Sequence, residues 1–243
     1  MKKIGNWPVV SLRDKFQFSC HKGLPCFTQC CLRLEISLTP YDIVCLKKAL
    51  NMSSEDFLER YAKIKLSEKI ALPMVALKKI EGKCPFLGNN GCQLYAHRPT
   101  VCRLYPLGHA FSPSRKEGVY FLLKEPQCLG FKEKKNWTVA HWIKSQGLQE
   151  YQEMNKEFSE LIFLKTSLRP HGLNSQETKM FFMSCYNLDA FKEFVLKSSF
   201  LQRFILTRKE IKKISKDDVA LLKLAFKWLK FSLFGQPTLR YQR

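Results

Sequence analysis

The cysteines of this chain are concentrated near its beginning. Nine of the ten precede residue 129, and eight of these form a spaced pattern. Its first part is the compact block Cys-x5-Cys-x3-Cys-Cys, followed by four more separated cysteines. The eight are Cys20, Cys26, Cys30, Cys31, Cys84, Cys92, Cys102 and Cys128. Four thiolates around one centre suit zinc or an iron–sulfur cluster, so these residues are the predicted metal ligands.

Composition favours metal over disulfides. The chain has 243 residues and 45% hydrophobic residues, enough to bury a core without covalent cross-links. The N-terminal residues show two lysines but no apolar run, and no stretch is long enough to span a membrane. We therefore expect no signal peptide, no transmembrane segment and a cytoplasmic location, where clustered cysteines bind metals.

The adjacent pair Cys30-Cys31 limits how the ligands are shared. Neighbouring side chains of an extended segment point in opposite directions. One of the two would then pack inward, or each would serve a different centre, unless a turn brings them together. The eight cysteines could form two tetrahedral sites or one site with spare thiols.

The net charge of +20 raises the question of a partner. Lysines dominate, they are spread along the chain, and no nucleic-acid-binding module is recognisable. A nucleic-acid partner is therefore not favoured, although the charge does not exclude one. An unknown protein partner is compatible with the same charge.

Hydrophobic patterning predicts an α+β fold. Residues 1–135 read as an irregular cysteine-rich metal-binding module with short strands, and residues 136–243 as a mainly helical part that packs on it. Alternation over residues 32–39 predicts a strand, and Thr39, Pro40 and Asp42 predict the capped start of a helix. Asn90-Gly91 predicts a turn that brings Cys84 and Cys92 together.

The helical part is predicted from apolar periodicity and end signals. Ser215 and Asp218 are interpreted as a capping box for the last helix, which carries a basic stripe. We expect its apolar face to pack on the protein rather than the stripe to lie on a membrane. The predicted helices are 137–146, 150–165, 179–191, 193–206 and 216–234.

Several residues near the cysteines are candidates for a chemical role. Arg98 would either stabilise thiolates or pair with a carboxylate. Tyr95 and Tyr105 are interpreted as walls that exclude water. His21, directly after Cys20, is the histidine best placed to be a ligand. No phosphate-binding loop, His-Glu-x-x-His motif or catalytic triad is present, so the catalytic residues are unknown.

Three motifs together carry a family resemblance. They are Cys84-Pro85-Phe86-Leu87, Gly91-Cys92-Gln93-Leu94-Tyr95, and Arg98-Pro99-x-x-Cys102-Arg103-x-Tyr105-Pro106. With the first cysteine block, they resemble the YkgJ-type cysteine-cluster family of zinc- or iron-chelating domains, a module similar to part of the flagellin lysine methylase. The first block is more widely spaced than the family's Cys-x2-Cys-x2-Cys-Cys, and Ala96 stands where an acidic residue is common.

The resemblance implies metal binding and leaves the reaction open. The leading hypothesis is a metal- or iron–sulfur-cluster-binding protein with a redox or accessory role. One alternative is an enzyme like a protein lysine N-methylase, although no S-adenosylmethionine motif is visible. The other is a structural zinc module that carries a basic interaction surface.

Overall fold

The computed structural model describes residues 3–110 and 118–242 and has the mixed α+β architecture predicted from the sequence. Tertiary contacts divide the chain into two compact units. Unit 1 comprises Met1–Ile36 and Lys79–Gln152, and unit 2 comprises Ser37–Lys78 and Glu153–Arg243. The sequence-based division into a cysteine-rich module at 1–135 and a helical part at 136–243 stays a prediction.

The strands are short, and the longer helices follow in the second half. The strands are β1 (Lys3–Ile4), β2 (Trp7–Val10), β3 (Lys15–Gln17), β4 (Ser37–Leu38), β5 (Ala62–Ser67), β6 (Leu72–Leu77), β7 (Leu87–Gly88), β8 (Gly91–Cys92), β9 (Leu107–Ala110), β10 (Val119–Leu122) and β11 (Asn136–Thr138). The helices are α1 (Gln29–Arg33), α2 (Pro40–Ala49), α3 (Ser54–Tyr61), α4 (Thr100–Leu104), α5 (Val139–Ser145), α6 (Gln149–Leu168), α7 (Ser175–Tyr186), α8 (Leu188–Lys197), α9 (Phe200–Arg203), α10 (Arg208–Lys216) and α11 (Asp218–Phe234).

Unit 1 is built on small antiparallel sheets. Strands β1, β2, β10 and β9 form one sheet in that order, while β3 pairs with β11 and β7 with β8. An aromatic group fills its core. Phe18 is 2% exposed and makes edge-to-face contacts with the rings of Tyr105, Phe131 and Trp142. The Trp142 indole also donates a hydrogen bond to the Leu104 carbonyl at 2.9 Å. The buried indole N–H of this apolar core therefore has a hydrogen-bond partner.

Unit 2 combines the sheet β4-β6-β5 with helices whose starts follow the sequence signals. Helix α2 has the predicted capping box: Asp42 N donates to Thr39 Oγ1, and Thr39 N donates to Asp42 Oδ2 at 2.8 Å. Ser53 caps α3 in the same way by accepting from Asp56 N at 3.0 Å. These local bonds satisfy the first amides of both helices, which explains why the start of α2 could be predicted from its sequence.

Helix α11 packs its apolar side inward, as expected. Leu222, Phe226 and Leu229 are at most 1% exposed. Two lysines of the basic stripe form ion pairs: Lys223 with Glu153 and Lys230 with Glu160, each at 2.8 Å. The stripe is therefore partly neutralised within unit 2.

The predicted helices 179–191 and 193–206 are wrong in their bounds, because this segment forms α7, α8 and α9 with breaks at 187 and 198–199. The separate helix α10 was not predicted.

Two further local predictions were wrong. Residues 29–33 form α1, and only Ser37–Leu38 of the predicted strand 32–39 pairs with another strand. Leu32 and Leu34 are more than a third exposed, so the alternation has no buried face there. The predicted cap of the last helix is shifted too, because Asp217 caps α11 by accepting from Val219 N and Ala220 N, whereas Ser215 lies in α10.

None of the helices in the described part of the chain has the length and apolarity needed to cross a lipid bilayer.

Candidate metal centre

The first cysteine block is folded around the short helix α1. Thr28 precedes the helix in the left-handed region, with φ of 68°, and Cys30 and Cys31 occupy its second and third positions. Successive side chains of a helix diverge by about 100° rather than 180°. The Cys31 thiol can therefore donate a hydrogen bond to the sulfur of Cys30. The turn that would bring the pair together is thus present.

This hydrogen bond separates the acidities of the two thiols. It lowers the pKa of Cys30 to about 7, and the positive charge of Arg98 helps. The same bond raises the pKa of Cys31, as do burial and the charge of Cys30. Of these two thiols, Cys30 is therefore the one closer to ionisation at neutral pH.

The second motif is joined to the first block through the backbone. Cys84 N donates to the Cys31 carbonyl at 2.9 Å. Strands β7 and β8 form the hairpin predicted at Asn90-Gly91, with Gly91 at φ of 104°, a value that favours glycine. The hairpin brings Cys92 within electrostatic range of Cys84, whose pKa is raised by burial and by this like charge.

The remaining cysteines approach from two further segments. Cys102 lies on α4, and Cys128 directly precedes a single 3-10 turn at Leu129–Lys132. The amide of Leu129 donates to the sulfur of Cys26 at 3.2 Å. The phenol of Tyr105 is hydrogen-bonded to Cys128; burial and this bond raise the pKa of Tyr105.

Cys30 is electrostatically linked to four of the other cysteines, namely Cys20, Cys31, Cys84 and Cys92. Cys20 interacts in turn with Cys26 and Cys128, and Cys31 with Cys102. Partial desolvation of the Cys20 sulfur raises its pKa to about 11, and the negative charges of Cys30, Cys128 and Cys26 act in the same direction. Unit 1 thus brings all eight predicted residues into one group, which we call the cysteine cluster, whereas Cys45 and Cys185 belong to unit 2.

The thiols are close together but do not form a ready coordination shell. In residues 3–110 and 118–242, no three His, Cys, Asp or Glu side chains have the arrangement that a bound metal ion requires. All ten cysteines are free thiols, and Cys20 and Cys30 are the most exposed of the cluster. Which of the eight would bind metal stays a prediction.

The surroundings of the cluster fit a thiolate-bound metal. Backbone amides donate to four of the sulfurs: Leu129 N to Cys26, Phe86 N to Cys84, Leu94 N to Cys92, and the amides of residues 30 and 31 to Cys30. Hydrogen bonds of this kind stabilise negative charge on sulfur and tune bound metals. The donor set and its hydrogen bonds therefore match zinc or an iron–sulfur cluster.

Arg98 provides the positive charge at the cluster. Its guanidinium lies 3.6 Å from the centroid of the Tyr95 ring and donates to Gln146 Oε1 at 3.1 Å. Its charge lowers the pKa of Cys20, Cys30 and Cys92, against the upward effect of partial desolvation of the Cys20 and Cys92 sulfurs. Of the two interpretations of Arg98, the geometry favours thiolate stabilisation.

Arg103 has a different role, because it holds the segment that carries Arg98. It donates to the carbonyls of Arg98 at 2.9 Å, Gln146 at 2.9 Å and Ala96, and it stacks over the Tyr151 ring. Both arginines flank Cys102 in the sequence, which does not distinguish their roles. Only the tertiary contacts of residues 146–151 distinguish them.

Tyr95 and His21 do not have the roles that were considered for them. Tyr95 is 62% exposed, so it is not a wall that excludes water. The ring of His21 faces Glu133 at 3.3 Å and accepts from Gly23 N at 3.2 Å, which occupies both ring nitrogens. Sequence analysis missed the hydrogen bond of Tyr105 to Cys128, for which the only signal was the position of a tyrosine three residues after Cys102.

Comparison with family models identifies the group to which these residues belong. The model named CxxCxxCC, described as "Putative zinc- or iron-chelating domain", matches residues 19–160. The chain belongs to the CxxCxxCC family. The matched segment contains the whole cysteine cluster and Arg98. No curated protein and no solved structure matches the chain.

Membership of the CxxCxxCC family confirms the resemblance noted in the sequence and assigns metal binding as the general function. The description of the family agrees with zinc or an iron–sulfur cluster as cofactor. In this CxxCxxCC protein, the cysteine cluster is the site whose chemistry fits those metals.

Proposed function

We propose that the cysteine cluster chelates zinc or an iron–sulfur cluster and that it gives the protein a redox or accessory role. The observation that carries the proposal is the convergence of eight thiols from four segments around Cys30. Thiolates are the ligands that both metals prefer. The ligands would come from Cys20, Cys26, Cys30, Cys31, Cys84, Cys92, Cys102 and Cys128.

The residues around the sulfurs would help to hold the metal. The amides of Phe86, Leu94 and Leu129 would orient three sulfurs and stabilise their negative charge. Arg98 would offset part of the charge that several thiolates carry together. The metal, when bound, would supply electron transfer as an iron–sulfur cluster or Lewis acidity as zinc.

Two observations favour this role over a purely structural zinc module. The aromatic core around Phe18 and Trp142 is held by ring contacts, and Tyr105 is the member of it that bonds to one of the eight thiols. Cys20 and Cys30 are exposed, so a partner protein could approach the centre closely. A structural site is usually closed and supplies most of the stability of its module.

The proposal includes a reducing compartment. The ten free thiols would be kept reduced in the cytoplasm, whereas an oxidising compartment would convert neighbouring pairs to disulfides.

The deciding experiment is metal and acid-labile sulfide analysis of protein purified without air. Iron with an equal amount of sulfide and a visible charge-transfer band would support an iron–sulfur cluster. Stoichiometric zinc without sulfide would remove the redox role and leave chelation. Protein that binds neither metal after reconstitution would contradict the proposal. Cys185→Ala is the matched control, and its metal content should equal that of the wild type.

A further inference from the structure

The edge strand β5 exposes apolar side chains that a buried strand would cover. Ile64 is 51% exposed and Leu66 is 67% exposed. Strand order in this sheet is β4-β6-β5, so β5 pairs with β6 on one side only. Within residues 3–110 and 118–242, no strand pairs with its other side. A free strand edge is a template for another strand.

The backbone direction of β5 strengthens this point. Lys78 N donates to the Tyr61 carbonyl at 2.7 Å, which makes these two residues a hydrogen-bonded pair next to Ala62 and Leu77. Such pairs alternate along antiparallel strands. Residues 63 and 65 therefore bond to β6, whereas the N–H and C=O groups of residues 62, 64 and 66 point away from it.

The exposed apolar residues continue a buried surface. Ile64 lies opposite Val75 of β6, and Val75 lies opposite Leu38 of β4. Val75 and Leu38 are each 1% exposed. The apolar face that is covered at β4 and β6 thus reaches the edge of the sheet uncovered, and an added strand with apolar side chains would extend it.

The opposite face of β5 carries positive charge. Lys63 and Lys65 are exposed and alternate with Ile64 and Leu66. A second copy of the chain paired with β5 would place lysines near lysines, and both copies would carry a net charge of +20. An acidic strand would instead place carboxylates beside these lysines. Charge therefore favours an acidic partner over self-association.

We propose that β5 binds an extended acidic segment of a partner protein by strand addition. The segment would have apolar side chains facing Ile64 and Leu66 and acidic side chains at the alternate positions, one of them facing Lys63. Its backbone would bond to the outward groups of residues 64 and 66, because the Ala62 N–H already donates to the Leu58 carbonyl. This site is separate from the cysteine cluster and does not depend on metal binding.

The test uses the full-length protein and the labelled peptide Glu-Val-Glu-Val-Glu-Val-Glu, with Lys-Val-Lys-Val-Lys-Val-Lys as the control peptide. Fluorescence anisotropy is measured at fixed salt, because charge pairs weaken as salt rises. Ile64→Pro removes an outward N–H and an apolar contact but no bond to β6, which makes it tolerable on an edge strand. Lys63→Glu reverses one charge, and Lys209→Glu makes the same change on the exposed surface of α10.

We expect saturable binding of the acidic peptide and none of the basic one. Ile64→Pro should abolish binding, and Lys63→Glu should weaken it by about fivefold or more, whereas Lys209→Glu should change it by less than about twofold. The proposal is overturned if the acidic peptide does not bind, or if Lys63→Glu and Lys209→Glu weaken it equally. A concentration-dependent dimer that Ile64→Pro abolishes would assign the edge to a second copy instead, and would also overturn it.

Discussion

The Cys31 thiol donates a hydrogen bond to the sulfur of Cys30, its neighbour in the chain. Helix α1 makes this contact feasible, because an extended segment would point the two side chains apart. The pair therefore belongs to one group of thiols, with Cys30 poised near pKa 7. Both sulfurs face the same cluster, which supports a shared metal centre.

The first prediction concerns Cys102. Cys102→Ala should lower metal content and stability together, because the variant loses a proposed ligand and the stability that metal binding contributes. Metal per protein is measured by elemental analysis, and stability by urea unfolding. Cys45→Ala and Cys185→Ala, in unit 2, should keep the wild-type metal content. Unchanged metal content in Cys102→Ala would remove Cys102 from the ligands.

The second prediction concerns the charge of Arg98. Arg98→Gln should raise the pKa of Cys30, because a positive charge that favours its thiolate is lost. We expect a rise of about half a unit to one unit, and slower alkylation of Cys30 at pH 7 in chelator-treated protein. Peptide mapping after timed reaction with iodoacetamide measures this rate.

Arg98→Lys is the matched variant, since it keeps the charge but loses the planar donor. It should retain most of the reactivity, while Lys144→Gln on the exposed side of α5 should retain all of it. Equal rates in Arg98→Gln and Lys144→Gln would show that Arg98 does not act on Cys30.

The third prediction is about acid stability of unit 2. Burial opposes the ionisation of Asp189, but hydrogen bonds from Ser54 and Lys47 lower its pKa to about 2. Lys47 Nζ lies 2.9 Å from Asp189 and 2.8 Å from Asp218. Because the unfolded carboxyl has a pKa of about 3.9, the stabilising contribution is complete above pH of about 5 and is lost as the pH falls towards 2.

Asp189→Asn should therefore destabilise the protein by about 1–2 kcal/mol at pH 7, a value reduced for the partial exposure of Asp189. The difference from wild type, measured by urea unfolding, should shrink between pH 5 and pH 2. Glu193→Gln, which breaks an exposed pair with Lys197, should cost little at any pH. A pH-independent cost of Asp189→Asn would contradict the assignment.

The fourth prediction is that unit 1 keeps its fold without metal. The rings of Phe18, Trp137 and Trp142 pack through apolar contacts and two indole hydrogen bonds. Chelator treatment should therefore leave the near-ultraviolet circular dichroism of the tryptophans largely unchanged. Phe18→Ala should instead destabilise unit 1 by about 3–5 kcal/mol. Loss of the tryptophan signal on chelation alone would favour the structural zinc alternative.

Local signals predicted the parts of the fold that local bonds determine. The capping box of Thr39 and Asp42 and the turn at Asn90-Gly91 each depend on a few neighbouring residues, and both are confirmed. The strand predicted at residues 32–39 is mostly absent, because an alternating sequence forms a strand only where a partner strand pairs with it. Strand β6 pairs only with Ser37 and Leu38.

The candidate site was predictable in its residue types but not in its arrangement. Thiol spacing and motifs indicated the eight cysteines, since few other residues bind metals as strongly. The helix that turns Cys31 towards Cys30 and the bond from Tyr105 to Cys128 depend on contacts between distant segments. The separate roles of Arg98 and Arg103 depend on Gln146, which no motif near the cysteines includes.

The two-part course of the chain through unit 1 also sets an order of events during synthesis. The ribosome releases Cys20 to Cys31 first, then the whole segment Ser37–Lys78 of unit 2, and Cys128 last of the cluster. A nascent chain that captured metal early would hold it with an incomplete set of thiols. We therefore expect metal delivery to follow translation of residue 128, when the full set of eight thiols is available.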